Sequence, residues 1–101
     1  MRLFISQPAE NKSFESLCTE RNRVVNLMQA LHPNEEIDFM VNYITDPSPR
    51  ASNRAVYRLS EFIRLMSLAD MIYFARGWQD DYSCRIEHEV AVAYNLTFFE
   101  E

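Results

Sequence analysis

The residues best suited to chemistry lie close together: Asp80 and Asp81, then Arg85, Glu87, His88 and Glu89. Residues 70–95 around them read as a buried strand, a short acidic loop and a helix that carries Glu87 in its opening turns. In open α/β sheets, ligands collect just beyond the carboxyl ends of strands, where loop and helix N-terminus meet. Glu87 is therefore the first candidate. The unpaired N–H groups of a helix beginning near Ser83, and the positive end of its dipole, favour an ionised carboxylate in the first turn or so. Such a carboxylate can attack an electrophilic sugar carbon to give a glycosyl-enzyme intermediate, provided a second group protonates the leaving group. Asp80 and Asp81, one turn away, are the nearest acids. Acids at a helix start also stabilise the helix without catalysing anything, and that alternative stands beside the first.

Other side chains border the same place. The loop Ser6-Gln7-Pro8-Ala9-Glu10-Asn11 follows the first strand and can supply backbone N–H groups, the Ser6 hydroxyl and the Gln7 amide, if strands one and three are neighbours. Gly77 is the chain's single glycine, so the glycine-rich turns of dinucleotide and P-loop phosphate sites are absent. Trp78 can stack on a base or pack as a half-buried tryptophan. Arg85 and His88 point away from Glu87 in the helical projection, and Arg85 is expected to pair with a surface acid such as Asp81 or Glu89. His32 and His88 fall on separate helices without ligand spacing, and no metal or other cofactor is expected. Cys18 and Cys84, each inside a helix and far apart, read as two reduced thiols. Met28, Met40, Met66 and Met71 fall on core faces.

These residues need a scaffold, and the chain predicts one. Arg2 to Ser6 is a short apolar run stopped by Gln7-Pro8. From Lys12, the positions Phe14, Leu17, Cys18, Val24, Val25, Met28 and Leu31 follow helical spacing, with Asn11 to cap and Pro33-Asn34 to stop. Ile37 to Val41 reads as a buried strand, and Asn42 to Ser52 as a long loop containing Asp46-Pro47-Ser48-Pro49. Asn53 can cap a second helix with Val56, Leu59, Ile63 and Met66 on one face. Met71 to Ala75 is the third strand, residues 83–94 the third helix with Ile86, Val90 and Ala93 inward, and Leu96 to Phe99 the last strand. The string βαβαβαβ predicts a single α/β domain over residues 1–101: a small open parallel sheet of about four strands, Rossmann-like or flavodoxin-like, with helices on both faces.

Composition narrows the partners. The chain of 101 residues is 48% hydrophobic and 25% charged, the balance of a globular protein with a thin core. Its net charge of −5 repels a phosphate backbone and leaves no basic stripe for nucleic acid. No segment is apolar enough to span a membrane, and the N-terminus runs into a strand instead of a signal-peptide core, so a cytoplasmic location is expected. A small ligand is the expected partner. Arg50, Arg54 and Arg58 around the long loop are the cations available to a phosphate. Two open sheet edges and limited cover argue for a homo-oligomer, and Tyr43, Tyr57, Trp78, Tyr82 and Phe98 can serve an interface or line a pocket.

Three stretches carry a family likeness: Phe4-Ile5-Ser6-Gln7-Pro8, Ala69-Asp70-Met71-Ile72-Tyr73-Phe74, and Gly77-Trp78 followed by Cys84-Arg85-Ile86-Glu87-His88-Glu89. Over nearly its whole length the chain resembles a small family of phage and bacterial proteins related to nucleoside 2-deoxyribosyltransferases. In those enzymes a glutamate opens the last helix, with alanine four residues on and aspartate six residues before; Glu87, Ala91 and Asp81 match. The resemblance implies that Glu87 is the nucleophile at the sugar C1′ and that Asp81 faces the nucleobase and assists its departure. The implied reaction is cleavage or exchange of an N-glycosidic bond in a nucleoside or nucleotide, without metal or cofactor. Ser6, Gln7, Pro8, Trp78 and Ser83 are the expected substrate contacts. Glu61 joins them, beside Phe62, which stands where the enzymes carry a further acid. A protein of another class on the same fold would bind a nucleotide, to sense or sequester it, without reacting.

Overall fold

The computed structural model describes residues 1–41 and 52–101. The expected loop over 42–52, with Tyr43 and Arg50, falls almost wholly outside the described residues. The elements run β1 (Arg2–Ser6), α1 (Phe14–Leu31), β2 (Asp38–Phe39), α2 (Arg54–Leu68), β3 (Met71–Phe74), α3 (Tyr82–Ala93) and β4 (Phe98–Glu100).

The four strands form one sheet in the order β2-β1-β3-β4, every pair parallel. The central pair runs from Leu3 opposite Met71 to Ser6 opposite Phe74. Both strands are apolar at nearly every position because both faces of this pair are covered. Side chains alternate across a strand. Leu3, Ile5, Tyr73 and Ala75 thus meet Val24 and Met28 of α1 on one face. Phe4, Ile72 and Phe74 meet Met66 of α2 and Ala91 of α3 on the other. The expected α/β architecture, with helices on both faces of a four-stranded open parallel sheet, is thus present. The four core methionines are also where the spacing placed them, Met28 and Met66 buried and Met40 and Met71 packed against the two clusters. No helix among the described residues is long and apolar enough to cross a membrane.

Element ends follow local hydrogen bonding. Asn53 caps α2 as expected, its side chain accepting from the Val56 N–H at 3.0 Å. Helix α1 begins two residues later than its spacing predicts: Ser13, not Asn11, is the cap, accepting from the Ser16 N–H at 3.0 Å. Asn11 instead turns the preceding loop in the left-handed region, with φ of 60°. Strand β2 is only two residues long, although the Met40 N–H still reaches the Leu3 carbonyl at 2.8 Å. Strand β4 lies two residues beyond the predicted start because Asn95, also at positive φ, first turns the chain out of α3.

The largest departure concerns the rotation of α3 about its axis. The residues it buries are Cys84, Glu87 and Ala91, whereas Ile86 and Ala93, expected inward, are exposed and Val90 is half-buried. This helix has apolar residues on both sides, so spacing alone admits either phase. The observed phase turns the small side chains of Cys84 and Ala91 to the sheet and lets the helix approach it closely. Phe14, Leu31 and Val56, near helix ends, are likewise exposed.

Candidate functional site at the β1–β3 switch point

From β1 the chain leaves toward β2, and from β3 toward β4, so the strand order diverges between β1 and β3. A crevice at the carboxyl ends of two such strands is where open α/β sheets bind ligands. Ser6 ends β1 directly opposite Phe74 of β3. Its side chain points to the same face as Phe4, which is the face that α3 covers.

Helix α3 places Glu87 on its inward stripe at that point. Glu87 is 3% exposed and Ser6 1%. The Glu87 carboxyl has no cationic partner among the described ion pairs. Burial pushes its pKa up to about 8; the nearby Ser6 hydroxyl opposes that rise and the negative charge of Asp81 adds to it. The Ser6 Oγ makes no hydrogen bond of ordinary geometry, so it is a buried polar atom held close to Glu87 and to the Cys84 thiol without full satisfaction. Burial also raises the Cys84 pKa, which makes this thiol a poor nucleophile.

Asp81 is fixed by a structural role. It is the N-cap of α3 and accepts from the Cys84 N–H through Oδ2 at 3.0 Å. A short 3-10 turn over Trp78–Asp80 delivers it there, starting from Gly77 at φ of 86°, a conformation that favours glycine. A Cβ at Gly77 would stand 3.6 Å from Pro8 Cγ, so the loops after β1 and β3 abut.

The expected site residues therefore divide. Ser6, Asp81 and Glu87 come together, and Pro8 lines the neighbouring loop contact. Gln7 is turned away, donating to the Leu17 carbonyl of α1 at 3.2 Å. Ser83 is exposed on the first turn of α3. Glu61 is held on α2 by Arg64 at 2.9 Å, and Phe62 packs its ring 6.2 Å from that of Phe4. Trp78 stacks on His88 with ring centroids 4.1 Å apart and donates from Nε1 to the Glu101 main-chain oxygen at 2.9 Å. His88 in turn contacts Glu100 and sits edge-on to Phe74 and Phe98. Arg85 lies over the Tyr82 ring at 4.7 Å instead of pairing with Asp81 or Glu89.

Cys84, by its sequence context simply a reduced thiol, is a further neighbour of Glu87. The signal for its place was present: it lies three residues before Glu87 and so shares a helix face with it. Both cysteines are free. Among the described residues, no three His, Cys, Asp or Glu side chains are grouped to hold a metal ion. On the other face of the sheet, a cleft of about 440 Å³ runs along α1 between Lys12, Ser16, Glu20 and Arg76. Its charges are mixed, and Arg76 meets Glu20 there at 3.1 Å. The chain matches no protein-family model and no curated protein.

Proposed function

We propose that the chain cleaves or exchanges the N-glycosidic bond of a nucleoside or nucleotide, with Glu87 as the nucleophile. One observation carries this reading: a carboxyl with no cationic partner among the described residues, buried beside the unsatisfied Ser6 hydroxyl at the carboxyl-end crevice between β1 and β3. A carboxyl buried only for packing would be replaced without loss by an apolar residue, whereas one kept at a ligand-binding position has work to do there. The resemblance to nucleoside 2-deoxyribosyltransferases names that work.

Glu87 must be ionised to attack. With a pKa of about 8 it is mostly protonated at neutral pH in the free protein. The anion, once formed, is poorly solvated and faces the positive charge that develops on the sugar in an oxocarbenium-like transition state. A Glu87 carboxylate oxygen bonds to C1′, the C1′–N bond breaks, and its electron pair goes to the base. Asp81, the neighbouring carboxylate, takes the proton that leaves Glu87 and returns it to the departing base. Water or a second base then attacks C1′, giving its proton to Asp81, and the C1′–O bond to Glu87 breaks to release the carboxylate.

A second reading, nucleotide binding without reaction, is favoured by the second helix. Phe62 is committed to the Phe4 contact and Glu61 to Arg64, so α2 adds no free acid to the crevice. Incubation with deoxynucleosides, ribonucleosides and their monophosphates, followed by chromatography, separates the two. Free base released by the wild type and lost in Glu87→Gln is the expected result. Ligands that raise the melting temperature yet are recovered whole would establish the binding reading in its place.

A further inference from the structure

The outward side of α3 is unused by the site. Tyr82 is 77% exposed and Ile86 41%; Arg85, Glu89 and Ala93 are exposed as well. At about 100° per residue these five share one side of the helix, opposite Cys84, Glu87 and Ala91. Exposed Val92 borders the same side. A helix that is apolar on both sides is normally covered on both. Two charges lie within this apolar surface. Arg85 is held over Tyr82, and neither it nor Glu89 has an ion-pair partner among the described residues.

We propose that this face binds a second copy of the chain, α3 lying antiparallel on its counterpart across a twofold axis. The spacing of the residues carries the proposal. In an antiparallel pair, two positions face each other across the axis when the axis passes their midpoint. The midpoint of Arg85 and Glu89 is position 87, and that of Tyr82 and Ala93 falls between 87 and 88. The two differ by half a residue, under about 1 Å along a helix. One axis therefore sets Arg85 against the second copy's Glu89 and Tyr82 against its Ala93, each contact made twice, as an isologous interface requires. The two Ile86 side chains come together beside the axis. A parallel pairing in register would instead bring Arg85 against Arg85 and Glu89 against Glu89. The inference does not depend on the glycosidic-bond reading.

Sedimentation equilibrium across the micromolar range tests it. The wild type is expected to be a dimer. Arg85→Glu alone and Glu89→Arg alone each set like charges against one another and are expected to weaken association at least about tenfold. The double variant Arg85→Glu/Glu89→Arg restores the opposition and is expected to recover the wild-type constant. Ile86→Glu is expected to give a monomer with unchanged far-ultraviolet dichroism. A wild type that is monomeric throughout, a dimer indifferent to Ile86→Glu, or a double variant as weak as the single ones each overturns the proposal.

Discussion

Two groups of acids lie toward the carboxyl end of this sheet, on opposite faces, and they are treated in opposite ways. On the α1 face, Arg23 donates to both oxygens of Glu20, at 2.6 and 3.1 Å, and to both oxygens of Glu101, at 2.5 and 3.0 Å. Arg76 adds its guanidinium to Glu20 and its N–H to Glu101. These partners hold both carboxyls below their ordinary pKa. On the α3 face, Glu87 is more deeply buried, has no cationic partner among the described residues and is pushed up to about 8 by that burial. Carboxylates that hold a fold together are paired and stay ionised. One that is left buried and unpaired is poised to change its charge.

The difference has a sign that can be measured. Glu20 and Glu101, with lowered pKa values, contribute stability that is present above their unfolded values near 4.5 and is lost as pH falls through their folded values. Glu87, with a raised pKa, contributes the opposite way: its share is fully present below 4.5 and is lost as pH rises toward and through about 8. The most severe test of the contrast is Glu87→Gln. Turnover, measured as free base by chromatography, is expected to fall about 10³-fold or more. The same variant is expected to lose the decline in stability between about pH 4.5 and 8, worth about 1.4 kcal/mol per pH unit across that window. Unfolding midpoints at pH 5 and pH 9 report it. A wild type and Glu87→Gln with parallel pH profiles would sink the idea that Glu87 is protonated in the resting fold.

Arg23→Ala attacks the other side. Its guanidinium is about one-third exposed, so solvent screens the ion pairs and the cost is expected to be about 1–2 kcal/mol, greatest near neutral pH and vanishing in acid as the carboxyls protonate. Denaturant titration at pH 7 and pH 3 measures it. Any base-releasing activity should survive unchanged in rate and pH midpoint. Tyr73, whose buried hydroxyl lies near Arg23 and Glu101 and is pushed up to about 12, is expected to titrate earlier in the wild type than in a variant without that cation.

Asp81 links the two themes because it is both a cap and a charge. Asp81→Ala is expected to cost about 0.5–2 kcal/mol through the lost bond to the Cys84 N–H. Asp81→Asn keeps an acceptor for that N–H and removes only the charge. Stability should then be nearly retained while the Glu87 midpoint drops by a few tenths of a unit to one unit. Carboxyl chemical shifts followed against pH separate these effects, and an unmoved Glu87 midpoint in Asp81→Asn would show that the two acids are not coupled.

Much of this arrangement was readable in the chain. The apolar runs of β1 and β3, the Asn53 cap and the βαβαβαβ order follow from local chemistry, and the order alone brings Ser6, Asp81 and Glu87 to one crevice. The phase of α3 was not readable. Hydrophobic spacing favours Ile86, Val90 and Ala93 as the inward stripe and would have turned Glu87 to solvent, because a pattern of apolar residues gives no credit to a buried acid. The site is found by topology and lost by amphipathicity, and a helix with apolar residues on both sides is where the two disagree. Trp78 is a similar case. Its type fits base stacking, but His88, ten residues on, supplies the ring it stacks against, and no local rule reveals that contact.

The gentlest probe is Ser6→Ala. The hydroxyl is buried without an ordinary hydrogen bond, so its removal strands no partner and is expected to change stability by less than about 1 kcal/mol. Its effect should appear in titration instead. Ser6 lies near the Glu87 carboxyl and favours its ionised form against burial and the charge of Asp81. Without it, desolvation acts with less opposition, and the Glu87 midpoint is expected to rise above about 8 by a few tenths of a unit. The upper end of the pH window over which stability declines should move by the same amount, while its start near 4.5 stays in place, since it is set by the unfolded chain. A midpoint that stays in place would leave Ser6 as packing and remove the hydroxyl from the chemistry. A midpoint that falls would mean that in solution Ser6 donates to the protonated form, and the balance of forces on Glu87 would have to be drawn the other way.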